Sequence, residues 1–310
     1  MAKFSFKSFL PLFRQAFKDF SEREPFNSSI IVAYYTIFSL PGLLVIVINL
    51  AGYFFGKDAV TNQIATQVGS LVGTDMAKEI QGIVLKASEA KGTVLSTILS
   101  ISTLLFGATG VFYQVQQILN KIWEVKPKPK QKIMKLLRDR LFSFGLILIV
   151  GFLLLVSLVL SAALSAFSKW FSENITDALP ILFSTLDIVV SIGVITLLFA
   201  AIFKFLPDVR ITWKDVWPGA AVTAILFAIA KFALGLYFGK SDPTSAYGAA
   251  GTIILIMLWV SYAGLILFYG AEFTKVYATR HGKKVRPVDT AEFAHEDTKP
   301  KVKDRVLGTR

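Results

Sequence analysis

A chain of 310 residues with 54% hydrophobic side chains, 13% aromatics and 27 Phe carries more apolar surface than a soluble core of this size buries, and the surplus must face lipid. The absence of cysteine excludes disulfides, thiolate metal sites, cysteine nucleophiles and S-palmitoylation, and two His leave no usual metal cage. The net charge of +12 acquires meaning only from its placement.

Residues 1–25 are charged throughout and offer no small-residue cleavage site, so no secretory signal is expected and the first apolar run stays in the protein. Within them Phe13, Phe17 and Phe20 recur at helical spacing with Arg14 and Lys18 between, and Pro11 suits the first turn. This predicts an amphipathic helix lying on the inner leaflet.

A bilayer span needs about 20 mostly apolar residues. Six stretches qualify, at 26–55, 93–119, 141–167, 180–206, 218–239 and 249–277. The fold class is therefore an all-α polytopic membrane protein, with a six-helix domain over 26–282. Between spans 1 and 2, Ile64, Val68, Leu71, Ile80, Ile83, Val84 and Ala87 follow helical periods broken by Gly69 and Gly73, which predicts two short amphipathic helices at the outer surface. The other links are short, so neighbouring spans are antiparallel. Pro207 is placed to stop span 4 and Pro218 to start span 5, with Trp213 and Trp217 at headgroup depth. From 283 to 310 the chain turns polar and charged, and a disordered cytoplasmic tail is expected.

Six spans put both termini on one side. With the N-terminus inside, the inner segments hold 26 Lys and Arg against six outside, so the positive-inside rule places both ends in the cytoplasm of a bacterial inner membrane. The run Lys126, Lys128, Lys130, Lys132, Lys135, Arg138 and Arg140 then sits beside two spans. Its expected partner is the anionic lipid headgroup rather than nucleic acid.

Several separate motifs occur in order: Ala33-Tyr34-Tyr35-Thr36-Ile37-Phe38-Ser39-Leu40, then Gly107-Ala108-Thr109-Gly110 through Leu119-Asn120-Lys121-Ile122-Trp123. Next come Phe205-Leu206-Pro207-Asp208 with Trp213 and Pro218-Gly219-Ala220, and last Tyr247-Gly248-Ala249-Ala250-Gly251 through Trp259 to Gly270-Ala271-Glu272. In these the chain resembles the YihY/BrkB family of bacterial inner-membrane proteins, once mislabelled as ribonuclease BN. The resemblance covers most of residues 10–282 and implies a six-helix membrane fold; lipid-related transport, solute export and envelope resistance are the roles it brings. Pro41-Gly42 departs from the family's usual spacing of its span 1 proline.

Ribonuclease chemistry needs clustered carboxylates on a metal or an acid-base pair facing water, and the sequence supplies neither, with His281, His295, Glu292, Glu296 and Asp297 in or beside the tail. No hydrolase elbow, zinc-protease motif or phosphate-binding loop occurs, so neither enzyme activity nor a cofactor is expected. The candidates that remain are ionisable groups inside the spans, Asp187, Lys204, Lys231 and Glu272. At a rise of about 1.5 Å per residue, Asp187 and Lys231 fall at compatible depths for a pair. Lys204 and Glu272 fall together toward the cytoplasm, with Tyr34, Tyr35, Gln114, Gln117 and Asn120 near that level, so an inner polar cluster is expected, unless Lys204 and Glu272 merely snorkel to the interface.

Small-residue patterns Gly52-x-x-x-Gly56, Gly235-x-x-x-Gly239 and Gly248-Ala249-Ala250-Gly251 are expected to serve helix packing. Pro41-Gly42, following Ser39, breaks the hydrogen-bond ladder near mid-membrane, which requires protein or a water-filled cavity to satisfy the freed groups. The expectation is a transporter or flippase-like protein for an amphiphilic, lipid-like substrate, with a scaffolding role in the envelope or small-solute or ion export as alternatives.

Overall fold

The structure is a computed structural model that describes residues 6–39, 110–128, 179–240, 249–282 and 285–294. The described helices are α1 (Phe6–Glu22), α2 (25–39), α3 (110–122), α4 (Leu179–Phe205), α5 (Trp213–Lys240) and α6 (Ala249–His281). Four short strands join them: β1 (Val125–Pro127), β2 (Val209–Arg210), β3 (Arg286–Pro287) and β4 (Ala291–Phe293).

Among the described residues, three helices are long and apolar enough to cross a bilayer, over Thr185–Phe205, Trp213–Leu234 and Ile253–His281. They correspond to expected spans 4, 5 and 6. Exposed apolar residues such as Ile188, Val189, Ile229 and Phe232 line surfaces that water would not tolerate but lipid does. With 33 residues, α6 is about 50 Å long, so it outreaches a hydrocarbon core of about 30 Å. α2 and α3 cover parts of the stretches expected as spans 1 and 2. Span 3, the outer helices between spans 1 and 2, Pro41-Gly42 and Gly52-x-x-x-Gly56 lie outside the described residues.

The tightest helix contact is between α5 and α6. A Cβ added to Gly219 would come 1.8 Å from Thr274 Oγ1, and one added to Gly270 would come 1.8 Å from Thr223 Oγ1. Each threonine also donates to the carbonyl four residues back, Thr223 to Gly219 and Thr274 to Gly270, both at 2.7 Å. Two Gly-x-x-x-Thr segments thus interlock in antiparallel, each glycine receiving the other helix's hydroxyl. Because the hydroxyls are satisfied within their own helices, this polar contact is compatible with an apolar surround. Elsewhere α2 meets α6 where Ser29 lies against Gly264, and the Tyr35 ring of α2 lies on Gly110 of α3. Leu119, Phe203, Val216, Ala220, Ala224, Phe268 and Ala271 make the centre of the buried core.

Three expectations are corrected at the ends of these helices. Pro11 and Pro218 lie inside α1 and α5, since both helices begin a turn earlier, at Phe6 and Trp213; Thr212 accepts the backbone N–H groups of Asp215 and Val216, and its hydroxyl donates to Asp215 Oδ2 at 2.6 Å, which starts α5 ahead of the proline. The amphipathic helix α1 does not simply lie on a leaflet. Leu12 and Ala16 are buried with Phe273, Phe13 meets Phe273 at a tilt with ring centres 4.8 Å apart and Phe20 meets Tyr269 edge-on at 5.7 Å, while Leu10 and Phe17 stay exposed. One stripe therefore packs on α6 and the other remains free for lipid.

The third correction concerns the expected disordered tail. Residues 285–294 are ordered, with β3 pairing β2 and β4 pairing β1, both antiparallel. Its turn is held by Val288 N–H to the Asp208 carbonyl at 3.0 Å, Ala294 N–H to the Glu124 carbonyl at 2.8 Å, and an ion pair of 2.7 Å between Arg210 and Asp289. Hydropathy missed it because strands this short are stabilised by backbone pairing and carry little apolar signal. Residues 295–310 lie outside the described residues.

Candidate functional site

The C-terminal ends of α1 and α3 meet α6 at Glu272 and Lys275, inside its last three turns. Two non-glycine residues with positive φ, Glu24 (53°) and Glu124 (56°), end α1 and α3 there. A left-handed residue of this kind costs about 1–2 kcal/mol, and these turns set Arg23 and Glu124 facing each other.

Arg23 is shared by three groups. Its Nη1 donates to the Lys121 carbonyl at 2.7 Å, its Nη2 donates to Glu124 Oε1 at 2.8 Å, and its Nε lies 2.5 Å from Glu272 Oε1. Lys275, three residues beyond Glu272 on α6, turns away from it and donates to Glu124 Oε1 at 2.8 Å. The two carboxylates are thereby unlike. Glu124 receives two charge-assisted hydrogen bonds, whereas Glu272, fully buried, is close to Arg23 but neither of its oxygens receives an aligned hydrogen bond.

Burial raises the pKa of Glu124, but the hydrogen bonds and charges of Lys275 and Arg23 together outweigh it and hold the carboxyl below its ordinary value of 4.5. Beside Glu272 is a recess of about 10 Å³ whose lining includes Phe20, Arg23, Ser28, Lys121 and Phe268, roughly room for one water.

A second buried polar contact stands next to the first. Asn120 on α3 donates to Asp208 Oδ2 at 2.7 Å and accepts the Asp208 N–H at 2.8 Å. Both residues are buried, and this reciprocal pair fixes the α4–α5 turn to the end of α3. Two motifs far apart in sequence, Leu119-Asn120-Lys121 and Leu206-Pro207-Asp208, are one structural unit.

The remaining predicted positions scatter. Lys204 does not join Glu272 but donates to the Ile211 carbonyl, closing the α4–α5 turn; a short turn needing a donor competes successfully for its flexible stem. Asp187 and Lys231 are half-buried on α4 and α5. Tyr34 is exposed, its ring 4.8 Å from Phe38, and Tyr35 is half-buried on Gly110. Ser39 is buried and donates to the Thr36 carbonyl. Gln114 and Gln117 are half-buried, and the buried glutamine of that stretch is Gln116. Lys126 pairs with Glu292 at 3.6 Å and Lys128 donates to the Asp289 carbonyl at 2.8 Å, so both contact the C-terminal strand segment. Lys130, Lys132, Lys135, Arg138, Arg140, Pro41 and Gly42 lie outside the described residues.

Sequence reasoning missed Arg23, Glu124 and Lys275. Arg23 counted only as a topology charge, although Lys275 at three residues from Glu272 on one helix and Glu124 directly after Trp123 were both visible.

Residues 16–294 match the family described as virulence factor BrkB. Curated relatives include a UPF0761 membrane protein of Verminephrobacter eiseniae, 28% identical over 209 residues, covering 67% of this chain and 47% of the relative. Others of the same description come from Saccharophagus degradans, 24% identical with 86% and 60% covered, and Tolumonas auensis, 28% identical with 66% and 65% covered. The chain spans from about half to just under two thirds of the length of these relatives. No solved structure matches.

Proposed function

The chain belongs to the virulence factor BrkB family of membrane proteins, and from that premise we propose that it is a non-enzymatic transporter or flippase-like protein for an amphiphilic, lipid-like substrate. It sits in the bacterial inner membrane with both termini cytoplasmic, as the charge asymmetry of the sequence supports. The observation that carries the reading is the placement of Arg23 against Glu272. A buried carboxylate on a membrane helix costs several kcal/mol unless paired and hydrogen-bonded, and Glu272 is paired without an aligned bond while its neighbour Glu124 receives two. A group kept at that cost fits a working role better than a structural one. Exposed Leu10 and Phe17 of α1, beside exposed Arg14 and Lys18, supply a surface where an anionic lipid can gather at the same level.

The test is reconstitution of the whole protein in liposomes holding labelled phospholipids on one leaflet and small charged solutes inside. Movement of the lipid across the bilayer supports the reading, and movement of the solute alone would favour an exporter. A scaffolding role is the second reading, favoured by the interlocked α5–α6 contact and the strand segment that fastens the polar end; a folded protein that moves neither probe under any gradient would favour it.

A further inference from the structure

We propose that Glu272 is a proton-binding site whose ligand is a single proton, and that its occupancy sets whether Arg23 ties α1 to α6. Three observations lead there. Glu272 has no side-chain exposure beyond 1% and receives no aligned hydrogen bond at either oxygen. Arg23, the cation in direct contact with it among the described residues, keeps two other acceptors at the end of α3, the Lys121 carbonyl and Glu124, so neutralising Glu272 leaves no guanidinium stranded. The recess beside it has room for about one water, enough to relay a proton.

The charges around Glu272 are accounted for. Arg23 and Lys275 attract the ionised form while Asp19 and Glu124 oppose it, and Lys121, whose side chain lines the recess, is exposed. Among the described residues of the elements packed near α6, Lys204 bonds Ile211, Asp208 bonds Asn120, Arg210 pairs with Asp289, Asp215 bonds Thr212 and Lys18 pairs with Glu22, while Asp187 and Lys231 lie half-buried on α4 and α5. Lys214 is exposed. Tyr269, one turn before Glu272, donates to the Phe13 carbonyl of α1 at 3.4 Å. When Glu272 takes a proton the Arg23 contact to α6 loses its charge. Arg23 then keeps its partners at the end of α3, and among the described residues α1 is held to α6 by the packing of Leu12, Phe13, Ala16 and Phe20 on Phe273 and Tyr269 and by the Tyr269–Phe13 hydrogen bond.

This names the coupling ion for the transport proposed above and rests on that reading only for its use; proton binding itself needs no substrate to be seen. The whole protein in lipid nanodiscs is titrated while infrared difference spectra follow the protonated-carboxyl band. A reversible band that is lost in Glu272→Gln and kept in Asp289→Asn is the expected result. As the chain has no cysteine, spin labels at Lys18→Cys and Lys214→Cys report the distance from α1 to the start of α5. That distance is expected to shift as the band grows and to stay shifted at all pH in Glu272→Gln. If Glu272→Gln fails to fold, Glu272→Asp replaces it, with a band whose midpoint moves. A titration identical in the wild type and both Glu272 variants overturns the proposal, as does a label distance indifferent to pH. Lipid movement without a Glu272 band removes the proton site and leaves transport standing; a Glu272 band without lipid movement keeps the proton site and removes transport.

Discussion

Thr274 Oγ1 occupies the place where a side chain on Gly219 would begin, 1.8 Å from the ideal Cβ position, and Thr223 stands to Gly270 in the same way. Gly219→Ala therefore overpacks the α5–α6 crossing, at an expected cost of about 1–3 kcal/mol. Gly193, with nothing within 4 Å of its Cβ position, is the control. Gly193→Ala should be neutral or raise stability by up to about 1 kcal/mol through helix propensity. Thermal unfolding in detergent checks both, and equal effects of the two changes would refute the interlock.

The pH dependence of stability follows from Glu124. Its folded pKa lies below the ordinary 4.5, so its contribution is fully present above about 4.5 and is lost as pH falls below that value through the folded pKa. Unfolding midpoints measured from neutral to acid pH should fall in that window for the wild type. Glu124→Gln should be less stable at neutral pH and flatter on the acid side.

Asn120 and Asp208 predict a stability effect without any role in transport. Asn120→Leu keeps the number of side-chain heavy atoms but removes the hydrogen bonds that the Asp208 N–H donates and its carboxylate accepts, and a buried N–H left unsatisfied costs about 1–3 kcal/mol. The loss should be read in the unfolding midpoint, with correct membrane insertion retained. An unchanged midpoint would mean that the α4–α5 turn is fixed by other contacts.

How far the sequence reveals this architecture depends on the kind of signal. The apolar runs of α4, α5 and α6 are legible because lipid demands long continuous apolarity. The partners of Glu272 are not legible, because the constant rise per residue gives only an expected depth and leaves the azimuth free; Lys204, expected at the level of Glu272, bonds the Ile211 carbonyl instead. The small-residue patterns picked out as packing motifs omitted Gly219-x-x-x-Thr223 and Gly270-x-x-x-Thr274, where threonine serves as the small partner of glycine. The strand segment 285–294 reads as tail by composition and is ordered through backbone groups that composition does not report.

Orientation is open to direct test. Reporters fused after residue 130 and after residue 285 are expected to read cytoplasmic, and one inserted near residue 75 external, because 26 of the basic residues fall on the inner side under this topology. A cytoplasmic reading near 75 would invert the assignment.

Whether the Arg23–Glu272 contact takes part in moving a lipid-like molecule is read from labelled-phospholipid translocation in proteoliposomes, wild type against Glu272→Gln at matched protein content and folding. Translocation by the wild type and at least a tenfold loss in the variant, about 1.4 kcal/mol in the barrier, are expected. Equal rates in the two, or no translocation by folded wild-type protein, would contradict that role.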